Sequence, residues 1–142
     1  HADEVSRRVA DIWGLKKAGN RIVAATNKAL RRAEGSESVE TRGSFYSVKG
    51  RAVSVRDRSG VTSPNLRKAD MLPPAEMREA LRAFVERQVG CGPDEAVIGA
   101  TRLFGFKRAG PDLKAVMDKE LRAMLRDDVL LLRDGYVYLK DS

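Results

Sequence analysis

The strongest constraint on this fold is a repeat. The run "WGLKKAGNRI", Trp13 to Ile22, returns 91 positions later as "FGFKRAGPDL", Phe104 to Leu113. Aligned without gaps from Asp3 against Asp94 to Ala33 against Met124, ten of 31 positions are identical: Asp3, Glu4, Gly14, Lys16, Ala18, Gly19, Ala24, Lys28, Leu30 and Arg31 with their counterparts. Unrelated sequences of ordinary composition would share about two. Several mismatches are conservative: Ile12 with Leu103, Trp13 with Phe104, Lys17 with Arg108, Ile22 with Leu113. Two copies are too few for a solenoid, so a tandem pair of small modules is expected.

The second copy reads most clearly. "PPAEMREALRAFVERQVG" opens on proline, carries Met77, Leu81, Phe84, Val85 and Val89 at helical spacing, and closes on Gly90. "PDEAVIGATRLFG" is a shorter helix between Pro93 and Gly105. From Pro111, the residues Leu113, Val116, Met117, Leu121, Met124 and Leu125 form one apolar stripe of a third helix. In "VLLLRDGYVYL", Asp134-Gly135 between two β-type runs predicts a hairpin, because both central positions of such a turn need positive φ. Helix, helix, turn, helix and hairpin is the order of a winged helix-turn-helix.

The first copy repeats this order from its second helix. "DEVSRRVADIWG" is a helix, "LKKAG" a turn and "NRIVAATNKALRRA" the next helix; "SVETRGSFYSVK" is a hairpin turning at Arg42-Gly43. Gly19 and Gly110 are expected at or beside the N-caps. The first helix of the motif would lie upstream of His1, which reads as a chain excised from a longer one; the alternative is that this copy never had it. The fold class expected is therefore α+β, mostly helical, with two tandem winged helix-turn-helix modules of which the first lacks its first helix. The boundaries are 1–50 for the first module, 51–73 for a strand around Val53 and Val55 plus a basic linker, and 74–142 for the second. Arg51, Arg56, Arg58, Arg67 and Lys68 make the linker basic. It reads as a solvated connector, or else as a strand tracking phosphates. Val9, Ile12 and Ile22 need a cover for the missing wall, since so small a module has little stability to spare.

Charge points the same way. The chain carries 27 Lys/Arg against 20 Asp/Glu, a net +7 that favours a polyanionic partner. Residues 1–60 hold 13 Lys/Arg and 7 Asp/Glu, giving +6, whereas residues 61–142 hold 14 and 13, giving +1. In a helix-turn-helix the last helix enters the major groove. On a helical wheel Ile22, Ala25, Thr26, Ala29 and Ala33 face the core, while Arg21, Lys28 and Arg32 line the other side, flanked by Asn20, Asn27 and Arg31. No acidic residue interrupts Asn20 to Ala33. Lys16 and Lys17 sit in the turn, near the positive end of the helix dipole, and Arg42 is expected at the wing tip. The candidate nucleic-acid residues are thus Lys16, Lys17, Asn20, Arg21, Lys28, Arg31, Arg32 and Arg42. Lys107, Arg108 and Lys114 are weaker candidates, because Asp112, Asp118 and Glu120 give the second copy the mixed face of a scaffold or docking module. A solvated helix face is the bland alternative for any such charge run.

The run "HADEVSRRVADIWGLKKAGNRI", with "VRDRSG" and "RKADMLPPAEM", resembles a domain of unknown function at the C-terminal end of large bacterial proteins. Those proteins also carry a superfamily 1 helicase core and a restriction-endonuclease-like domain. The shared pattern falls on His1, Asp3, Glu4, Val5, Arg8, Gly14, Leu15, Lys16, Gly19, Arg21 and Ile22. The resemblance implies a DNA-processing context, with the helicase and nuclease domains of the parent protein as neighbours. The second copy departs from the pattern, with Pro111 and Asp112 where Asn20 and Arg21 stand.

No catalytic constellation is expected. His1 is the only histidine, which leaves neither a zinc site nor a His-based triad. Cys91 has no basic partner in sequence and reads as inert, and Asp127-Asp128 read as polar residues entering the hairpin rather than a metal pair. Trp13 and Phe104, at matching positions, read as core anchors. No cofactor and no metal are called for. No run approaches the ~18 apolar residues of a membrane span, and no secretion signal is evident, so a cytoplasmic protein is the expectation. Duplex or branched DNA is the expected partner, with a protein-docking module as the alternative and RNA binding as a third reading. A homodimer through the apolar face left by the missing helix is a further expectation.

Overall fold

The computed structural model describes residues 1–140, which form five α-helices and two antiparallel hairpins, an α+β and mostly helical arrangement. Contacts divide the chain into two compact units, His1–Ala52 and a second that begins at Val53. The first unit contains α1 (Ala2–Ile12), α2 (Asn20–Glu34), β1 (Val39–Arg42) and β2 (Phe45–Val48). The second contains two short 3-10 turns and then α3 (Pro74–Gln88), α4 (Pro93–Leu103), α5 (Pro111–Arg126), β3 (Leu130–Arg133) and β4 (Tyr136–Leu139).

The repeat governs the local structure far beyond its identical residues. Adding 91 to the bounds of α1, β1 and β2 gives the bounds of α4, β3 and β4, and α2 and α5 also start 91 apart. The correspondence therefore runs without insertion through both hairpins. Gly14 and Gly105 are identical for a conformational reason: both stand just past a helix end at φ +71 and +81, where a side chain is strained. Gly19 and Gly110 are the N-caps of α2 and α5. The second hairpin turns at Asp134-Gly135, both with positive φ, as a two-residue primed turn requires. The first turns one residue later than expected. Arg42 pairs with Phe45, so the turn is Gly43-Ser44 and Arg42 is the last residue of its strand. Gly43 at φ +59 takes the first central position and sets that register.

The second unit has a closed core. Leu81 and Val85 of α3, Phe104 beside α4, Met117 and Leu121 of α5, and Leu130 of β3 are all buried. Val89 does not extend the α3 stripe. It is exposed, because the helix ends at Gln88 and Val89 adopts a left-handed φ of 55 that turns the chain toward Gly90. Residues 53–73 are not a detached linker: Met71 and Leu72 are buried, and Val55 and Ala69 pack on the core. No strand forms around Val53 and Val55, where the backbone pairs with neither hairpin. Of the basic residues expected in the linker, Arg51, Arg67 and Lys68 are exposed, as a solvated connector would have them, but Arg58 is not. The Arg58 amide donates to the Phe104 carbonyl at 2.8 Å and its guanidinium is buried, so Arg58 has no phosphate-tracking role.

The first unit is open by comparison. Its buried side chains are Ser6, Ala10 and Thr26. Trp13 is not a core anchor: it is 66% exposed where its counterpart Phe104 is 0%. Ile12 is 80% exposed and Val9 and Ile22 are half-buried, so the expected cover over these three is incomplete. The cause is the absence from residues 1–52 of any element equivalent to α3.

Candidate nucleic-acid interface

Each candidate residue of the first unit is carried by one short stretch of backbone. Lys16 and Lys17 lie in the connection between α1 and α2; the Arg7 guanidinium donates to the Lys16 carbonyl and ties that connection to α1. Asn20 and Arg21 form the first turn of α2, while Lys28, Arg31 and Arg32 follow on its later turns. Arg21 and Arg32 are separated by eleven residues, about 16 Å along the axis. Arg42 ends β1. All eight side chains are exposed.

Their electrostatics differ from those of the second unit. None of Lys16, Lys17, Arg21, Lys28, Arg31, Arg32 and Arg42 has a carboxylate within ion-pair distance among the described residues, whereas Arg7 and Arg8 of α1 pair with Asp11 and Glu4. The N-terminus of α2 has no acidic residue in its first turn and no side-chain cap, because Gly19 is the N-cap. Its leading N–H groups thus remain available to an anion. Arg31 has the most mixed surroundings. Burial pushes the Tyr46 hydroxyl above its ordinary value, with Glu34 adding to the rise by charge and hydrogen bond, and the Arg31 cation opposing it.

In the second unit acidic residues share the surface with the equivalent cations, but Lys107, Arg108 and Lys114 themselves have no carboxylate within ion-pair distance among the described residues. The first turn of α5 carries Pro111, which lacks an N–H, and Asp112, which already complements the helix dipole. Lys114 lines a shallow groove between α4 and α5 together with Asp94 and Asp118. Arg108 lines another with Asp112 and Arg67. Lys107, Arg108 and Lys114 are exposed, and Arg122 is held 2.8 Å from Asp118. On α3, Arg82 is tied to Glu79 and Glu86, and its pKa rises chiefly through the Glu79 hydrogen bond.

One charged cluster lay outside the sequence reading. Glu76, buried in the first turn of α3, accepts from Arg56 Nε at 2.7 Å and Arg58 Nη1 at 2.9 Å. Arg58 also lies with its guanidinium carbon 5.3 Å from the Phe104 ring centre. Eighteen residues separate Arg58 from Glu76, and no periodic pattern links them. Cys91 is buried and joined to Val137 by reciprocal backbone hydrogen bonds. Asp127 pairs with Arg78 and Asp128 with Lys140, which occupies both carboxylates at the hairpin entrance. Among the described residues no helix is long and apolar enough to cross a membrane. No family model, curated protein or solved structure matches the chain.

Proposed function

We propose that the chain is a non-catalytic accessory region that binds duplex or branched DNA through two winged helix-turn-helix modules, mainly the first. The observation that carries this reading is the set of exposed cations on the α1–α2 connection and α2, none neutralised by a carboxylate and none interrupted by an acidic residue from Asn20 to Ala33. In such a module α2 enters the major groove, where Arg21 and Asn20 reach base edges and can read them through paired hydrogen bonds. Lys16, Lys17, Lys28, Arg32 and Arg42 contact phosphates, which position the protein without reading sequence. The hairpin acts as the wing. The second module, with its acids beside the equivalent cations, serves as a scaffold. The resemblance of residues 1–22 to a helicase- and nuclease-associated domain supplies a DNA-processing parent protein in bacteria as the setting.

The test is salt dependence. Phosphate contacts release counterions, so log affinity falls with log salt by about 0.9 per neutralised phosphate on B-DNA. Contacts from Lys16, Lys17, Lys28, Arg32 and Arg42 give a slope of about −4 to −5. Replacing Lys16 and Lys17 with alanine flattens it by roughly 2 and weakens all sequences alike. Replacing Lys107 and Arg108 has a much smaller effect. Equal losses from the two pairs overturn the assignment to the first module, and no binding at low salt overturns DNA binding altogether.

A further inference from the structure

The second unit contains a template for what the first one lacks. There the face formed by α4 and α5 is roofed by α3, which buries Met77, Ala80, Leu81 and Val85, and by the arm before it, which buries Leu72 and sets the Arg58 guanidinium over the Phe104 ring. Residues 2–48 match 93–139 element for element, yet residues 53–91, which precede α4 in the second unit, have no counterpart in His1–Ala52. The matching apolar positions are correspondingly open, while Arg8 stands where Gly99 lets the Phe84 ring of α3 rest directly on α4. Trp13 (66% exposed) stands for buried Phe104, and Ile12 (80%) for Leu103, which packs on the core. Leu15 (44%) and Val48 (56%) stand for Phe106 and Leu139, also packed on the core. Beneath them the Ser6 hydroxyl, at the position of buried Val97, has no hydrogen-bond partner.

We propose that this face is a docking site for an amphipathic α-helix of the α3 kind, supplied from outside these 142 residues, that carries an acidic residue where α3 carries Arg78. The charge requirement follows from the repeat. Arg78 lies 3.0 Å from Glu120 and 3.0 Å from Asp127. The counterparts of those two acids in the first unit are Ala29 and Ser36, and the counterpart of Ala123 is Arg32. Arg32 stands one helical turn from both. A basic residue docking there loses two carboxylates and meets a cation, whereas a glutamate meets Arg32. That arginine stands at the edge of the DNA-facing line, so the docked helix competes with phosphate for this one side chain. The same balance disfavours a second copy of this chain as occupant. His1–Ala52 holds 11 Lys/Arg and 6 Asp/Glu, so two such faces repel one another.

Trp13 is the only tryptophan, so its fluorescence reads the face directly. The experiment joins a copy of residues 74–91, with Phe84→Ala to leave room for Arg8 at the position of Gly99, in front of His1 of the whole chain, which preserves the connection used in the second unit. One graft keeps arginine at the Arg78 position and another carries Arg78→Glu. Docking moves Trp13 emission to the blue and lowers its quenching by acrylamide several-fold, more so in the Arg78→Glu graft. A graft that also carries Leu81→Asp and Val85→Asp returns to the parent values. The Arg78→Glu peptide, added separately to the unmodified chain, produces the same blue shift in saturable fashion. Grafts and peptide that all leave Trp13 as quenchable as before overturn the site. Equal protection by the arginine and glutamate grafts overturns the acidic requirement. Protection of Trp13 in the unmodified chain that disappears on dilution makes a second copy the occupant and overturns the proposal.

Discussion

Replacing Glu76 with alanine tests the buried pair that holds the arm of the second unit against α3. Glu76 bonds Arg56 Nε at 2.7 Å and Arg58 Nη1 at 2.9 Å, and the Arg58 side chain is only 6% exposed. Without the carboxylate, Arg58 keeps one acceptor, the Arg56 carbonyl at 3.0 Å, while its Nη2 has none. Arg56 is far more exposed, so its share is that of a surface pair, at most about 1 kcal/mol. Arg58 is different, because its backbone is pinned by the bond to Phe104 and its charge stays against an aromatic ring. Removing one partner of a buried pair costs about 3–5 kcal/mol. In a domain of this size each kcal/mol moves the melting midpoint by roughly 4–8 °C, so a drop of at least about 12 °C is expected in thermal unfolding followed by circular dichroism. Combining Arg58→Met with Glu76→Leu removes both charges and restores most of the loss, since apolar replacements of a buried pair are often neutral or better. A Glu76→Ala loss below about 1 kcal/mol would refute the reasoning, because the pair would then be worth no more than an exposed one. A double variant as unstable as the single one would refute the role of charge.

Phe104→Ala costs about 3–5 kcal/mol in urea denaturation, as for any fully buried aromatic residue, whereas Trp13→Ala at the matching position costs under about 1 kcal/mol; similar losses would mean that Trp13 is covered in solution. Gly14→Ala is expected to cost about 1–2 kcal/mol, the strain of a left-handed residue in open space. Gly105→Ala costs more, because its new methyl group stands 2.1 Å from Asp57 Oδ1 and 2.8 Å from the Ser59 amide nitrogen; the reverse order in melting temperature contradicts the packing. Burial, and to a lesser degree Glu95, raise the Cys91 thiol above its ordinary pKa. The stability this gives is complete below the unfolded thiol's pKa and is lost as pH rises above it, and Cys91 resists alkylation until denaturant is added; rapid labelling of the native protein near neutral pH would show the thiol to be accessible.

The sequence carries the order of elements because that order is written in short-range signals. Prolines at 74, 93 and 111 open helices, Asp134-Gly135 closes a hairpin, and the repeat lends each reading to the other copy. Where the two copies differ in surroundings, the loan fails. Trp13 reads as core because Phe104 does, but burial depends on what lies across the gap, and no pattern within residues 3–33 encodes a neighbour's absence. Arg42-Gly43 was one residue out because a single glycine can serve either central position, and the ladder from Val39 to Val48 decides between them. Arg58 looks like any cation of a polar connector, since its carboxylate partner is distant in sequence and only tertiary packing brings the two within 2.9 Å. The exposed cations of α2 were legible because surface position follows from helical period once the core face is known. Their freedom from ion pairs needed the structure.

The unequal cores also divide the chain thermodynamically. A unit that buries Ser6, Ala10 and Thr26 opens at lower cost than one closed around Phe104, Met117 and Leu121. Amide hydrogens of α1 and α2 therefore exchange through local opening, while those of α3 and α4 wait for global unfolding. Any ligand that covers Trp13 and Ile12 adds to the first unit's stability by mass action, in proportion to the logarithm of its concentration over its dissociation constant, and leaves the second nearly unmoved. Occupancy of that face is thus recorded in the protection of α1 and α2, so the softer half of the molecule acts as its own gauge of binding.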